Sequence, residues 1–251
     1  MSAAQNLLNH LRKNWSKTGI LPQKGRILVA ISGGADSVWL AHALTIHEYP
    51  IALAHVNYGL RKDADAEEAL VRQYASTWNV PIHVLHTDPK SAAQGQSLQM
   101  EARYQRYAFF EELMQTHGYV ACATAHHADD QAETLLMSLL DGNGRQIWKG
   151  IPAIRGPYIR PLLSIRKADI RTALADADLK HGEDHTNALP VYRRNQLRLN
   201  ILPNLEEMAP GLIPDWQQKW QRTLRRNRLY DRLLAKQAQP GLQVSALANL
   251  F

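Results

Sequence analysis

Four short apolar runs, at residues 27–31, 51–56, 82–86 and 119–123, alternate with stretches of helical spacing at 37–47, 63–78 and 97–117. A further helical stretch, about 128–140, follows the fourth run. Each run has strand length and is apolar enough to be covered on both faces. A strand followed by a helix, repeated, predicts a parallel sheet with helices on both sides, an α/β doubly wound fold. The right-handed crossover rule then fixes most of the topology.

The punctuation between these segments is uneven. Residues 141–161 are rich in glycine and proline and read as a loop. Residues 164–177 read as a helix with Ser164 as its N-cap. A basic helix is expected from about 215 to 239, stopped by Pro240-Gly241. The division that follows is an N-terminal helix at 1–24, a catalytic domain and linker at 25–210, and a basic helical segment at 211–251.

Composition narrows the function classes. The chain of 251 residues is 45% hydrophobic and 21% charged, which is globular and sufficient for a sizeable core. No apolar stretch approaches the roughly 18 residues of a membrane span. The opening MSAAQNLLNHLRKNWSK lacks an apolar secretory core and reads as an amphipathic helix, with Leu7, Leu8 and Leu11 on one face. The single cysteine, Cys122, excludes an intramolecular disulfide and a cysteine-held cluster, so a reducing cytoplasm is expected. The net charge of +6 favours a polyanionic partner, and RRNQLR at 193–198 and RTLRRNRLYDR at 222–232 concentrate it.

The first strand ends in SGGADS, residues 32–37, and feeds a helix. A helix start presents backbone N–H groups without intrahelical partners, at the positive end of the dipole. That makes an anion site. Gly33 and Gly34 permit a sharp turn and close approach, Ser32 and Ser37 can add hydroxyl donors, and Ala35 completes the cradle. Asp36 repels phosphate unless a cation lies between them, so Mg²⁺ held through oxygen is expected, shared with phosphates. The patterns GxxxxGK[ST] and GxGxxG are both absent. SGGADS resembles the pyrophosphate loop of the N-type ATP pyrophosphatases, which cleave ATP between the α and β phosphates.

Two further constellations follow strand ends. HVNYGLR begins at His55, and ligands in open parallel sheets gather at the carboxyl ends of strands. His55 and Asn57 are therefore expected to edge the nucleotide pocket, and Arg61 could meet phosphate, RNA or a neighbouring acid. AHHADDQAET begins at Ala125. There His126 or His127 could donate to a phosphate, and Asp129 or Asp130 could share the metal with Asp36. One aspartate could merely cap the helix. Gln131, Glu133 and Thr134 could support these groups, and zinc is a competing occupant without a standard spacing. On QMEARYQRY, residues 99–107, a cleft-facing Arg103 would suit polyphosphate charge.

Taken in order, SGGADS, HVNYGLR, EARYQRY, HHADDQAETLL and RRNQLRLNILPNL resemble the tRNA(Ile)-lysidine synthases over most of residues 25–205. The resemblance implies an adenine nucleotide alpha hydrolase-like fold with ATP and Mg²⁺ as cofactors. It implies adenylation of the wobble cytidine of a tRNA(Ile) with anticodon CAU, then displacement of AMP by free L-lysine. Asp36, His127, Asp130, Arg103 and Arg194 are the expected catalytic residues, with Asp36 and Asp130 on the metal. Arg194-Asn195 matches the family's Arg-Asn pair after the catalytic domain. A homodimer is a possible assembly. Tyr58 or Gly59 stands where the family often has His, Gln99 where it usually has Glu, and Asp141 where it has Arg. Residues 211–251 are read as the start of a tRNA-binding region that is truncated or absent, so weak adenylation is expected. Another tRNA-modifying enzyme of thiolase type, or a non-catalytic ATP- or tRNA-binding module, is the alternative.

Overall fold

Alternating side-chain direction along β1 (Ile27–Ala30) assembles two cores, one on each face of the sheet. Ile27 and Val29 point to one layer, with Trp39 and Leu40 of α2 (Ala35–Ile46) and Val71 of α3 (Ala64–Thr77). Leu28 points to the other, against Phe110 and Leu113 of α5 (Leu98–His117). The computed structural model describes residues 1–60, 63–92, 97–142, 150–182, 193–216 and 219. The remaining strands are β2 (Ile51–Asn57), β3 (Ile82–His86), β4 (Ala121–Ala123), β5 (Ile154–Arg155) and β6 (Tyr158–Ile159). Their order is β3-β2-β1-β4-β6-β5, parallel except for the β5–β6 pair.

Two further helices pack on the first layer. Helix α1 (Ala3–Thr18) buries Leu8, Leu11 and Trp15, with Leu7 only half-buried. The Trp15 indole donates to the Pro161 carbonyl at 3.0 Å, and the Ala4 amide donates to Asp176 at 2.9 Å. Asp176 closes α7 (Lys167–Asp176), so polar contacts clamp α1 to the body at both its ends. Helix α6 (Ala128–Leu140) follows β4, and α4 (Pro89–Ala92) is a single short turn after β3. Beyond α7 come α8 (Arg193–Gln196), a π-helical turn (Leu197–Ile201) and α9 (Leu202–Met208). No helix among the described residues is long and apolar enough to cross a membrane.

Three local expectations are corrected. Residues 141–161 are not wholly loop, because 154–159 make a β-hairpin around Gly156-Pro157, with Arg155 opposite Tyr158. Gly156 has φ +57°, the positive value that a tight hairpin needs at its first central position. Ser164 does not cap α7. That helix starts at Lys167, whose amide donates to Asp129 at 2.8 Å, while Ser164 accepts from Asn14 at 3.2 Å. The third strand is not covered on both faces. It lies at the sheet edge, with residues 82–85 half-buried and His86 exposed, because an edge strand is open along one side and helices cover it less fully than the central strands. The basic helix expected at 215–239 lies almost wholly outside the described residues.

Candidate active site

Strand order reverses between β1 and β4, since β2 and β3 lie to one side of β1 and β4 to the other. Ligand crevices of open α/β sheets form at such a switch point. Here a cleft of about 720 Å³ opens between the carboxyl ends of β1 and β4. The loop after β1 and the helix start after β4 therefore face one another across it.

Ser32 to Ser37 turn tightly into α2. Gly33 has φ +91°, and a Cβ there would sit 3.3 Å from the Glu67 Cβ. The Ser37 hydroxyl donates to the Gly34 carbonyl at 2.9 Å and accepts from the Ser32 amide at 3.1 Å. The Ser32 hydroxyl is 3.1 Å from that of Ser37 and accepts from the Gly34 amide at 3.3 Å. Each hydroxyl has one proton, so both are committed inside the loop. The serines brace the turn, the Ser37 and Val38 amides donate back to the Gly34 carbonyl, and the Ala35 and Asp36 amides at the start of α2 are left to meet an anion.

Asp36 and Asp130 converge on His127, which is buried and N-caps α6. The His127 Nε2 lies 3.5 Å from an Asp36 oxygen and 3.6 Å from an Asp130 oxygen. The His127 amide donates to Asp130 at 3.0 Å, and the Asp130 amide donates to His127 Nδ1 at 3.3 Å. Burial, the largest influence, disfavours the imidazolium, but Asp36, Asp130 and Asp129 together raise its pKa. The cap opposes that rise, because a second proton on Nδ1 would break the bond from Asp130.

The two aspartates of HHADD have separate jobs. Asp129 is turned to Arg166, at 3.2 Å, and to the Lys167 amide, so it anchors the start of α7. Asp130 lines the cleft. His126 also lines it, with Nδ1 2.9 Å from the Thr124 hydroxyl.

A side pocket of about 270 Å³ adjoins the loop and holds His55 and Asn57. His55 is buried, with Nδ1 2.9 Å from the Ile31 carbonyl. A carbonyl only accepts, so the proton sits on Nδ1, and Nε2 carries a lone pair with no hydrogen-bond partner in its buried surroundings. Burial lowers its pKa, which keeps it neutral. Asn57 is spent on structure, donating to Asp65 and Glu68 and accepting from the Gly59 amide.

The cleft's cations differ from those expected. Arg103 is exposed and stacks on Tyr107, whereas Arg106, one turn along α5, lines the cleft. Lys167 and Arg171 of α7, an i,i+4 pair, also line it. Arg198 binds Glu133 through two bonds, at 2.5 and 3.0 Å, and reaches Asp130 at 3.3 Å. Glu133 is fully enclosed, so this pair ties the segment after α8 to α6, which carries Asp130. Arg194 lies on α8 and its side chain is outside the described residues; Asn195 beside it lines the cleft. Arg61 is also outside them. Asp141 pairs with Arg193 at 2.7 Å.

Gly182 gave no signal in the sequence. Its amide donates to the Gly33 carbonyl at 2.9 Å, and it forms a parallel bridge with Gly34. A Cβ at 182 would meet Glu67 at 3.1 Å. The segment entering the site from α7 thus seats on the phosphate loop through its backbone.

Among the described residues, no group of three or more His, Cys, Asp or Glu is placed to hold a metal ion. Magnesium asks for less, one or two carboxylates with phosphates completing its shell. Asp36 Oδ1 is buried without a hydrogen-bond partner, and the second oxygen of Asp36 and one of Asp130 both lie within 3.6 Å of His127 Nε2, so the two carboxylates are near enough to one another to share that cation.

A family described as the PP-loop domain matches residues 2–205. The chain is 40% identical over 208 residues to the tRNA(Ile)-lysidine synthase of Parabacteroides distasonis, covering 82% of this chain and 48% of that protein. It is 40% identical over 192 residues to the tRNA(Ile)-lysidine synthase of Streptococcus equi subsp. equi, covering 73% and 42%. The chain thus spans about half the length of the curated relatives it matches. Its fold is similar to that of the U34-tRNA thiolase NcsA from Methanococcus maripaludis, with a TM-score of 0.71 at 16% identity over 88% of this chain and 80% of that one.

Proposed function

Since the chain belongs to the PP-loop domain family, we propose that it performs the two steps of a tRNA(Ile)-lysidine synthase. In the first, the C2 carbonyl oxygen of the wobble cytidine in tRNA(Ile)(CAU) attacks the α-phosphorus of ATP. The α–β phosphoanhydride bond breaks and pyrophosphate leaves. In the second, the neutral amine of free L-lysine attacks C2, AMP departs with the oxygen, and the amine loses its proton. The observation that carries this reading is the convergence of the phosphate loop, Asp36 and Asp130 at one end of a cleft lined by Arg106, Lys167 and Arg171.

The residues divide the work. First-turn amides of α2 hold the departing phosphates, and Gly33 and Gly34 let them approach. Asp36 and Asp130 would hold Mg²⁺, which supplies positive charge to the leaving pyrophosphate. Arg106, Lys167 and Arg171 add fixed cations in the same cleft. His127 holds Asp130 and Asp36 in place and keeps a donor on Nε2 between them. Attack by lysine needs a proton acceptor, and Asp130 is the candidate, because His127 spends Nδ1 on the Asp130 amide and carries its proton on Nε2. Cys122 is buried, with its thiol pushed up to about 12 by burial, so it is a poor sulfur carrier and the thiolase alternative is disfavoured.

The test is transfer of radiolabelled lysine to a tRNA(Ile)(CAU) transcript in the presence of ATP and Mg²⁺. Label that enters the transcript only when ATP is cleaved to AMP supports the reading. Nucleotide binding without any label transfer points to a binding module instead.

A further inference from the structure

On α5 the sequence places Met100, Arg103, Tyr104, Arg106 and Tyr107 within two turns. Residues three and four apart on a helix are surface neighbours, so Met100, Tyr104 and Tyr107 form one stripe flanked by the arginines. The stripe starts in the cleft, which Tyr107 and Arg106 line, and runs outward to Tyr104 and Met100. Those two are 71% and 67% exposed. The Arg103 guanidinium sits 4.7 Å from the Tyr107 ring centroid and donates to its hydroxyl at 3.4 Å. Arg106 lies 5.9 Å from the same ring.

We propose that Tyr104 and Arg103 form a stacking platform for an unpaired nucleotide next to the reacting base. This rests on reading the chain as an RNA-modifying enzyme. Chemistry on a base requires that base to leave its stack, and its neighbours are splayed with it. Such a neighbour offers a flat π-face and a phosphate. The exposed Tyr104 ring, with the Arg103 guanidinium held over Tyr107, the next ring of the stripe, meets the first, and the paired arginines meet the second. Two exposed large side chains flanked by cations are too small a patch for a stable dimer, which needs about 800 Å² from each partner. A nucleotide matches the patch in size and in charge.

The experiment uses an anticodon stem–loop of CAU sequence carrying 2-aminopurine beside the wobble cytidine. Binding and fluorescence are followed with the wild-type chain, Tyr104→Ala and Tyr104→Trp, and ATP affinity is measured alongside as the control for folding. The platform predicts that Tyr104→Ala weakens binding about tenfold, the order of one lost base–aromatic stack, and relieves quenching. Tyr104→Trp restores both. Equal affinity and quenching in Tyr104→Ala overturns the platform, as does absence of stem–loop binding by the wild type. A concentration-dependent dimer abolished by Tyr104→Ala overturns it in favour of a contact between copies. Failure of the platform leaves tRNA-dependent pyrophosphate release intact, whereas failure of the functional reading removes that release from the wild type.

Discussion

Replacing Arg198 by alanine tests whether the segment after α8 is energetically part of the site. Arg198 makes two bonds to Glu133, which is fully enclosed, and its own side chain is 23% exposed. Removing one partner of a buried pair costs about 3–5 kcal/mol, because the other charge is left without compensation. The partial exposure of Arg198 puts the expected cost at the low end, about 3 kcal/mol. A domain of this size loses about 2–4 °C in Tm per kcal/mol, so a fall of about 6–12 °C is expected. Arg193→Ala is the internal comparison. Its pair with Asp141 has side chains 54% and 39% exposed, and its loss should cost no more than ~0.5 kcal/mol. The double variant Glu133→Gln/Arg198→Met removes both charges and should recover most of the stability. Urea and thermal unfolding of the wild type and these three variants measure this. Equal losses in Arg198→Ala and Arg193→Ala, or no recovery in the double variant, would refute the reasoning.

Gly182→Ala should weaken ATP binding about tenfold with little change in Tm, read by nucleotide titration, because its Cβ would press on Glu67 beneath the phosphate loop. Adding Glu67→Ala should restore part of the affinity by making room. Glu68 is held at about 2: burial, the largest influence, works against its charge, but bonds from Asn57, Arg72 and His86 prevail. A folded pKa below the ordinary value stabilises at pH above about 4.5, and the contribution fades as pH falls towards 2. Its worth is about 2 kcal/mol after discounting for His86, whose side chain is 65% exposed. Urea unfolding of Glu68→Gln should therefore vary less with pH between 5 and 3 than that of the wild type. Cys122, buried and pushed up to about 12, should resist alkylation at pH 8 until the chain unfolds, and stoichiometric labelling of the native state would contradict its place in the core.

Much of the frame was legible because period and punctuation are local properties. The apolar runs at 27–31 and 51–56 lie in the middle of the sheet, where both faces are covered, and their sequences say so. The phosphate loop was legible for the same reason: strand, Ser-Gly-Gly and helix start are contiguous. Strands β5 and β6 were not, since two residues each show no alternation. The helix face was a second limit. EARYQRY contains both Arg103 and Arg106, but which one turns to the cleft depends on how α5 lies on the sheet, and Arg106 is the one that lines it. Roles within HHADD were separated by distant partners, Arg166 and Lys167 for Asp129 and Arg198 for Asp130. Gly182 acts through its backbone and its missing Cβ, which leaves no residue pattern to find.

The departures from the family pattern also gain a physical setting. Asp141, an anion where a cation is usual, meets Arg193. Tyr58 donates to the Ala102 carbonyl at 3.1 Å, so it braces the turn after β2 against α5.

The measurement closest to the central claim is pyrophosphate release from ATP and Mg²⁺, with and without tRNA(Ile)(CAU) transcript, for the wild-type chain and Asp36→Ala. Release that depends on the tRNA and falls by at least a hundredfold in Asp36→Ala, on the order of one lost electrostatic contact to the departing charge, is the predicted result. Release that ignores the tRNA, or that survives in Asp36→Ala, would contradict the assignment of this cleft to tRNA adenylation.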